Sequence, residues 1–427
     1  MDDRHSMRDV LAVVLAGGAG ERLYPLTRNE AKPAVHFGGM YRIIDFTLSN
    51  CINSQIRKIL VLVQYKSLSL IRHIHAAWNL SYPEWGEFIE VIPAQKRTGD
   101  NWYLGTADAI YQNLYSIQPI ESREVMVLSG DHIYKMDYQK MVKYHRAQGA
   151  AVTLAALEVP LNEAHRFGIL EVDANNQVTG FQEKPEHPRP SPHNPNTAMA
   201  SMGVYVFDKD TLIRACYDDA ERMSSHDFGK DIIPRLIETD PVFVYPFVDE
   251  NRKEAKYWRD VGTLDSFWEA NMDFVAVDPL FNLYDEEWPV RTKPPMAPPA
   301  KFVFADEGIR FGVAVDSIVS PGCIISGGMV RRSVLSPEVR VNSYSYVEEC
   351  ILMPEVSIGR RARIRKAIID TGAQIPEDTV VGYDYEEDAR RFRVTPRGVV
   401  VVEPQDFMAP SELGIPGVSL PYVVVDQ

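Results

Sequence analysis

The sequence predicts a Rossmann-like α/β domain with a mostly parallel, mixed sheet, followed by a parallel β-helix. Two patterns support this prediction. From residue 11 to about residue 275, short apolar runs alternate with stretches of helical spacing, which is typical of a sheet covered by helices on both faces. From residue 318 onward, apolar residues recur with a repeat of 17 residues, which is typical of stacked β-helix coils.

Length, charge and cysteine content narrow the possible functions. The 427 residues exceed what one hydrophobic core usually supports, so we expect two domains. A net charge of −14 argues against sequence-independent binding of nucleic acid. The chain shows no signal segment and no apolar run that could span a bilayer, so we expect no membrane partner. Its four cysteines form no C-x-x-C pair, which favours a reducing, cytoplasmic location without disulfides or zinc.

Six apolar runs are predicted to be buried strands, and two longer stretches are predicted to be helices. The strands are residues 11–15, 59–63, 88–92, 125–128, 152–157 and 202–207, and the helices are residues 43–56 and 107–117. Ligands of such sheets bind at the carboxyl ends of the strands. The glycine-rich segment that follows the first strand is therefore expected at a ligand site.

That segment, LAGGAGERL at residues 15–23, predicts a site for phosphate groups. Gly17, Gly18 and Gly20 are expected to take positive φ and to bring backbone N–H groups close to an anion, while Arg22 and Lys32 supply positive charge. The segment is neither a Walker P-loop nor a dinucleotide fingerprint, because it lacks the Gly-Lys-Ser/Thr and the last glycine. A nucleotide polyphosphate fits best, and a purely structural turn is the alternative.

Residues 101–108, NWYLGTAD, predict a second wall of this site. Tyr103 could stack on a base or a sugar, and Gly105 lets the backbone approach a ligand. Trp102 could equally be a core anchor beside a helix start. Gln64 and Gln95 each follow an apolar strand and could bind polar base edges, although surface glutamines are common.

Two acidic segments predict a metal site, and a third predicts a sugar phosphate site. Asp131 follows a strand, and Asp260 lies in the later segment WRDVGT. Two carboxylates that meet in one cleft are suitable ligands for Mg²⁺ bound to a nucleotide, whereas either one alone could be a helix cap. Glu183 suits sugar hydroxyl groups and Lys184 suits a phosphate, although Lys-Pro is usually a solvated turn.

The second half of the chain is divided from the first by proline. Six prolines between residues 279 and 299 predict an extended linker, so the expected domains are residues 1–280, a linker at 281–312 and a β-helix at 313–427. A β-sandwich is the alternative for the last region. The predicted inward residues of four coils are Ile318, Ile324, Val330, Leu335, Val341, Val347, Leu352, Ile358, Ile364, Ile369, Ile375 and Val381.

Taken together, ten motifs in order resemble the bacterial glucose-1-phosphate adenylyltransferases. They are LAGGAGERL, KPAVHFGG, RIIDFTLSNCINS, WYLGTADA, SGDHIYKMDY, FGIL, EKP, ASMGVYVF, SSHDFGKDIIP and YWRDVGT. The resemblance implies a left-handed β-helix used for oligomerisation and regulation, a homotetramer, metabolite effectors, and the transfer of AMP from ATP to α-D-glucose 1-phosphate in glycogen synthesis.

The resemblance also implies roles for single residues. Asp131, Arg22 and Lys32 would be catalytic, and Asp131 and Asp260 would hold Mg²⁺. Gly17, Gly18, Gln95 and Gly105 would bind the nucleotide. The glucose 1-phosphate site would comprise Tyr103, Gly168, Glu183, Lys184 and Ser201.

One departure from the family pattern concerns regulation. Relatives that are activated by fructose 1,6-bisphosphate carry a basic pair where this chain has Asn29 and Glu30, and only His36 and Arg42 of that neighbourhood remain. A bisphosphate needs several cations to offset its desolvation. We therefore expect weak activation by fructose 1,6-bisphosphate and a less charged effector.

Three other functions stay open from the sequence. A relative that uses UTP or dTTP would share the glycine loop and both aspartates. A regulatory subunit with weak activity would lack some of the charged residues, yet Arg22, Asp131, Lys184 and Asp260 are all present. An acyltransferase site in the β-helix would commonly need a histidine base, and all ten histidines lie at or before His226.

Overall fold

A computed structural model describes residues 7–79, 82–95, 102–304 and 310–407. The predicted ranges 1–280, 281–312 and 313–427 therefore include residues that lie outside the described part, namely 1–6, 80–81, 96–101, 305–309 and 408–427. The chain forms two compact units, each assembled from separate stretches. The first unit comprises Met1–Val35, Tyr41–Gly262 and Leu280–Lys293, and the second comprises His36–Met40, Thr263–Pro279 and Pro294–Gln427.

Strands and helices alternate from Val10 to Asp273. The strands are β1 (Val10–Leu15), β2 (His36–Phe37), β3 (Tyr41–Arg42), β4 (Lys58–Val63), β5 (Phe88–Pro93), β6 (Glu124–Ser129), β7 (His132–Tyr134), β8 (Val152–Pro160), β9 (Gly168–Val172), β10 (Val178–Glu183), β11 (Thr197–Asp208), β12 (Val242–Pro246) and β13 (Trp258–Asp260). The helices are α1 (Ile43–Asn53), α2 (Leu68–Ala77), α3 (Thr106–Gln112), α4 (Leu114–Ile117), α5 (Tyr138–Gln148), α6 (Lys209–Ala220), α7 (Ile233–Thr239) and α8 (Leu264–Asp273).

One mixed sheet organises the first unit. Its order is β10-β9-β11-β6-β1-β4-β5, and β8 pairs with both β11 and β12. The strands β6, β1, β4 and β5 are parallel, whereas β11 runs antiparallel to β6, β8 and β9. The strand β1 is buried along most of its length because two apolar clusters cover its faces. The predicted mixed α/β sheet is confirmed.

Two local predictions are wrong in detail. The strand β5 is not buried: it lies at the edge of the sheet, and Ile92 is its one fully buried residue. The predicted helix 107–117 is interrupted at Asn113, which separates α3 from α4. The side chain of Asn113 donates hydrogen bonds to the Ala109 carbonyl and to the Tyr103 hydroxyl, both at 2.8 Å. Asn113 thus links the end of α3 to the segment before it.

The second unit contains a left-handed parallel β-helix. Its strands are β14 (Lys301–Val303), β15 (Val313–Val315), β16 (Ile318–Val319), β17 (Ile324–Ser326), β18 (Met329–Arg331), β19 (Val334–Leu335), β20 (Arg340–Val341), β21 (Tyr346–Glu348), β22 (Ile351–Leu352), β23 (Ser357–Ile358), β24 (Arg363–Arg365), β25 (Ala367–Ile369), β26 (Gln374–Ile375), β27 (Val380–Val381), β28 (Arg393–Val394) and β29 (Val400–Val402). They form the ladders β14-β17-β20-β23-β26, β15-β18-β21-β24-β27 and β16-β19-β22-β25-β29-β28. Helix α9 (Tyr385–Arg391) precedes β28.

The predicted repeat holds for three of the four coils. Leu335, Leu352 and Ile369 pair in consecutive coils, as the repeat requires, and all three are buried. The first coil departs from the repeat by one position on two of its sides, because Ile318 pairs with Val334 and Ile324 pairs with Arg340. The prediction that Ile318 and Ile324 point inward is therefore wrong.

Neighbouring residues take those two places in the first coil. Val319 and Ile325 pair with inward residues of the next coil, and Ile325 is fully buried while Ile324 is half-buried. The third predicted inward residue, Val330, pairs with Val347 as the repeat requires and is buried.

Two short stretches that precede the β-helix in the sequence, residues 36–40 and the segment that contains α8, belong to the second unit by their contacts. The Gly38 N–H donates to Asn271 Oδ1 on α8 at 2.9 Å, and Asn271 is fully buried. The indole of Trp268, also on α8, donates to the Glu349 carbonyl in the β-helix at 2.9 Å. Residues 36–40 and α8 are therefore part of the same packed body as the β-helix coils.

The proline-rich segment has no regular element between α8 and β14, and its first part packs on the first unit. Phe281 is fully buried, and the Lys135 ammonium donates to the Asn282 carbonyl at 2.8 Å and to Asp285 at 2.9 Å. Among the described residues, the structure contains no helix that is long and apolar enough to cross a membrane.

Candidate active site

A cavity of about 930 Å³ opens in the first unit at the carboxyl ends of β1 and β6. Its lining includes most of the residues that the sequence singles out. Those residues are Gly17, Gly18, Arg22, Lys32, Tyr103, Gly105, Asp131, Gly168, Glu183, Lys184, Ser201 and Asp260. Short segments from distant parts of the chain thus meet in one space.

The glycine loop forms one wall of the cavity immediately after β1. Of its three glycines, only Gly20 adopts a positive φ, of 67°, so the expectation of positive φ is wrong for Gly17 and Gly18. Gly17 serves close packing instead, because an added Cβ would lie 3.3 Å from Gln64 Cβ. A Cβ on Gly18 would meet no atom within 4 Å, so its backbone faces open space.

Lys32 joins the two predicted metal ligands at the centre of the cavity. Its ammonium donates to Asp131 Oδ2 at 2.8 Å and to Asp260 Oδ1 at 3.2 Å, and Lys32 is 6% exposed. Burial alone would lower the pKa of Lys32, but the two carboxylates outweigh it and raise the pKa above its usual value. All three groups therefore form one charged network.

A two-stranded ribbon brings the two aspartates together. The strands β7 and β13 pair antiparallel, and Asp260 lies opposite His132, the residue after Asp131. Asp131 also accepts a short hydrogen bond from the Ser129 hydroxyl. Burial would raise the pKa of Asp131, but the nearby Lys32, and to a smaller extent His132, hold this pKa well below its usual range. Asp131 therefore keeps its negative charge near neutral pH.

The ribbon also offers a donor set for a divalent cation. Asp131, His132 and Asp260 can each direct one ligand atom so that all three atoms lie within 4.8 Å of one another. Two carboxylates fit a hard divalent cation that takes its other ligands from phosphates and water. His132 packs edge-on against Trp258, with ring centroids 5.1 Å apart, and its buried Nδ1 has no hydrogen-bond partner among the described residues.

Three of the five predicted glucose 1-phosphate residues lie on β9, β10 and β11, and Lys184 directly follows β10. Glu183 pairs with Gly168 across β9 and β10, and a Cβ on Gly168 would lie 2.5 Å from the Phe181 ring. Lys184 adopts a positive φ of 46°, and its backbone N–H donates to the Phe167 carbonyl at 3.0 Å. Its side chain is 62% exposed, so the ammonium is accessible from solvent.

Tyr103 and Ser201 complete this side of the cavity. The Tyr103 N–H donates to Gln64 Oε1 at 2.7 Å, and burial raises the pKa of the Tyr103 phenol. Ser201 precedes an irregularity in the pairing of β11 with β8, where Gly203 adopts a φ of 69°. Both residues line the cavity, and the hydrogen bond from its N–H to Gln64 fixes the backbone of Tyr103 there.

Three predicted residues lie elsewhere. Gln95 does not line the cavity and accepts a hydrogen bond from the Tyr115 hydroxyl at 3.3 Å, whereas Gln64 does line it. His36 and Arg42 are also absent from the lining. The Arg42 guanidinium forms an ion pair of 3.0 Å with Glu30, the acidic residue that departs from the family pattern.

Sequence reasoning missed one segment of the lining and part of the ribbon. Asp227, Phe228 and Gly229 line the cavity, and so do His132 and Trp258. Their motifs, SSHDFGKDIIP, SGDHIYKMDY and YWRDVGT, were visible in the sequence, but neither charge nor spacing distinguished these residues from structural ones. The structure also shows that the four cysteines are buried and unpaired, which leaves no thiol in the described lining of the cavity.

Comparisons with known proteins agree with this architecture. The sequence model described as Nucleotidyl transferase matches residues 11–276, and the model described as GlmU-like, C-terminal hexapeptide matches residues 298–402. The chain is 55% identical over 399 residues to a protein named glucose-1-phosphate adenylyltransferase from Koribacter versatilis, covering 93% of this chain and 95% of the relative.

Two further relatives carry the same name. The protein from Rhodopirellula baltica is 55% identical over 408 residues, with 94% of this chain and 92% of the relative covered. The protein from Methylococcus capsulatus is 51% identical over 398 residues, with 93% and 94% covered. The similarity therefore spans both the mixed sheet and the β-helix.

Proposed function

Because the chain belongs to the glucose-1-phosphate adenylyltransferases, we propose that it transfers AMP from ATP to α-D-glucose 1-phosphate, with the cavity of the first unit as its active site. The products are ADP-glucose, a glucosyl donor for glycogen, and pyrophosphate. The observation that carries this proposal is the network of Lys32 with Asp131 and Asp260, which lies beside the glycine loop. That arrangement provides cationic and anionic groups where a triphosphate would lie.

The reaction needs positioning and charge neutralisation more than a strong base. A phosphate oxygen of glucose 1-phosphate attacks the α-phosphorus of ATP, and the bond from that phosphorus to the pyrophosphate oxygen breaks. Lys32 and Arg22 would offset the charge that develops on the departing pyrophosphate. No side chain has to form a covalent intermediate.

Asp131 and Asp260 would hold the divalent cation that this family uses, for which we propose Mg²⁺. When bound, the cation would supply positive charge to the phosphate oxygens of the nucleotide. Lys32 donates to both carboxylates, and it limits the repulsion between them before the nucleotide arrives. Asp131, with its lowered pKa, offers a charged oxygen throughout the neutral pH range.

The two substrates would occupy different sides of the cavity. Gly17, Gly18 and Gly105 would frame the nucleotide, and Gln95 stays a proposed contributor from outside the lining. For glucose 1-phosphate we propose five residues. They are Tyr103, Gly168, Glu183, Lys184 and Ser201, with Glu183 accepting hydrogen bonds from sugar hydroxyls and Lys184 binding the phosphate.

The choice of nucleotide tests this function directly. Pyrophosphate release by the purified chain should require glucose 1-phosphate and should be faster with ATP than with UTP or dTTP. It should stop when EDTA removes divalent cations and resume when Mg²⁺ is added in excess. A preference for UTP or dTTP would contradict the adenylyl proposal, and an inactive pure chain would favour a regulatory subunit.

Regulation is proposed to differ from that of relatives activated by fructose 1,6-bisphosphate. The ion pair of Arg42 with Glu30 supports this, because the remaining arginine already has an anionic partner. We propose a less charged effector, such as a hexose monophosphate or pyruvate, that acts near His36 and Arg42. Strong activation by micromolar fructose 1,6-bisphosphate in initial-rate assays would refute it.

The second unit is proposed to serve assembly. We propose a cytoplasmic homotetramer in which the β-helix, residues 313–427, contributes to subunit contacts and effector response, with residues 281–312 as the connection to a catalytic domain at 1–280. The family membership supports this proposal. Light scattering of the purified chain should give four times the chain mass of 48.3 kDa, and a monomer would refute it.

A further inference from the structure

We propose that Asp219 and His226 are positioning residues that set the affinity of this enzyme for glucose 1-phosphate. They act through residues 224–229, a loop whose last two residues begin the short π-helix Phe228–Ile232. This loop contributes Asp227, Phe228 and Gly229 to the wall of the cavity. This inference rests on the proposed function, because it assumes that glucose 1-phosphate binds in that cavity. Neither Asp219 nor His226 lines the cavity itself.

Asp219 lies at the carboxyl-terminal end of α6 and is 2% exposed. One carboxylate oxygen accepts from the Ser224 hydroxyl and from the Arg235 guanidinium, both at 2.9 Å. The other lies 2.7 Å from His226 Nδ1. A buried carboxylate is stable only when hydrogen-bond donors of this kind surround it. Asp219 therefore connects the loop to helix α7, because residues of both donate to its carboxylate. We call these four residues, Asp219, Ser224, His226 and Arg235, the Asp219 latch.

The backbone at the latch is strained. His226 adopts a φ of 54°, in the left-handed region that side chains other than glycine rarely occupy. Such a conformation is unfavourable by itself and persists only where surrounding contacts hold it. The contacts here are the hydrogen bonds to Asp219 and a further bond of 3.1 Å from the His226 N–H to the Ser224 hydroxyl.

The strained residue supports the loop against helix α3. The His226 carbonyl accepts from the Ala107 N–H at 2.8 Å. The next residue, Asp227, accepts from the Thr106 hydroxyl at 3.0 Å. These bonds fix the loop to the first turn of α3, directly after Gly105, another residue of the cavity wall. A shift of His226 would therefore move two walls of the cavity together.

The loop lies on the sugar side of the cavity. A Cβ on Gly229 would lie 3.3 Å from the Phe181 ring, the same ring that limits Gly168. Phe228 contacts Tyr205, with ring centroids 5.9 Å apart. Because Phe181 connects the loop to a proposed glucose 1-phosphate residue, loosening the latch should weaken glucose 1-phosphate binding more than ATP binding.

The main test replaces Asp219 by asparagine and compares both substrates. In initial-rate assays of ADP-glucose formation, Asp219→Asn should raise the KM for glucose 1-phosphate about tenfold, which equals about 1.4 kcal/mol. The KM for ATP should rise by a clearly smaller factor, about threefold at most, because the loop also adjoins Gly105 on the nucleotide side. The matched control is Asp240→Asn, because Asp240 also pairs with an arginine, Arg214, at 2.6 Å but contacts neither the loop nor the cavity. The control should leave both KM values unchanged.

A second pair of variants tests the same role if Asp219→Asn fails to fold. Arg235 is 37% exposed, so its replacement should be tolerated. Arg235→Met should raise the KM for glucose 1-phosphate severalfold, and Arg235→Lys, which keeps a cation, should restore it. The positioning role would be overturned if Asp219→Asn and Arg235→Met raised the KM for ATP as much as the KM for glucose 1-phosphate. It would also be overturned if neither variant raised the KM for glucose 1-phosphate.

The melting temperature separates this inference from the proposed function. Glucose 1-phosphate without ATP should stabilise the wild-type chain and the Asp240→Asn variant more than Asp219→Asn or Arg235→Met. A wild-type chain that forms no ADP-glucose would refute the proposed function. A wild-type chain that forms ADP-glucose while the latch variants keep its KM and melting shift would refute only the latch.

Discussion

Gly105 offers a sharp test of the cavity geometry, because its environment excludes even one methyl group. A Cβ at this position would lie 2.2 Å from the His226 carbonyl oxygen and 2.4 Å from that of Ser225. Gly105 has an extended backbone with a φ of −162°, so alanine would not be strained by its own conformation. The conflict is with main-chain atoms, which cannot rotate away as a side chain can.

The size of the effect follows from these distances. Ordinary van der Waals contact begins at 3.4 Å, so alanine would force the loop and the start of α3 apart. That movement would break the 2.8 Å hydrogen bond from Ala107 to the His226 carbonyl. A misplacement of about 1 Å can reduce a rate on the order of a hundredfold, so Gly105→Ala should lower kcat/KM for ADP-glucose formation by about that factor.

The assay is an initial-rate measurement of ADP-glucose formation at subsaturating glucose 1-phosphate, with circular dichroism to verify folding. Gly180→Ala is the matched control, because the three atoms nearest to its added Cβ, the closest at 3.0 Å, all belong to the Glu171 side chain, which can move. It should keep nearly wild-type activity. A Gly105→Ala enzyme within threefold of wild type would refute the geometric reasoning.

Three further predictions concern catalysis, substrate binding and the β-helix. Asp131→Asn should lower kcat on the order of a hundredfold or more with little change in melting temperature, since it removes charge from the proposed metal site; near-normal kcat would contradict that role. Lys184→Gln should raise the KM for glucose 1-phosphate while leaving that for ATP unchanged, and equal rises would count against it. Ile325→Ala should lower the free energy of unfolding by about 2–5 kcal/mol. Ile324→Ala, which truncates the half-buried neighbour, should lower it clearly less, and equal losses in urea unfolding would contradict the observed register.

The glycine loop and the β-helix repeat could be predicted because each is a local or periodic constraint. LAGGAGERL follows a buried strand, and the regular spacing of apolar residues reports coil stacking directly. The altered first coil could not be predicted, because Ile318 and Val319, like Ile324 and Ile325, are adjacent apolar residues that satisfy the pattern equally well. Only the ladder pairing distinguishes them.

The charged network was harder to predict than its members. Lys32, Asp131 and Asp260 were each identified as site residues, but the sequence could not show that one ammonium donates to both carboxylates. That contact depends on the pairing of β7 with β13, two strands that are distant in the chain. Asp219 was missed altogether, because a buried acid at a helix end looks like any helical surface residue until its partners are known.

The two packed bodies do not follow the order of the chain, and this limits how the sequence can be divided. Helix α8 follows the ribbon that carries Asp260, yet it is bound to the β-helix through Trp268 and Glu349, and Gly38 joins it from a stretch shortly after Lys32. A protein truncated near residue 280 would keep every cavity residue but leave the buried Asn271 and its helix without their coils. A chimaera of two relatives that is joined at the proline-rich segment would likewise combine α8 of one parent with the β-helix of the other. Functional chimaeras should therefore take residues 36–40 and 263–279 from the parent that supplies the β-helix.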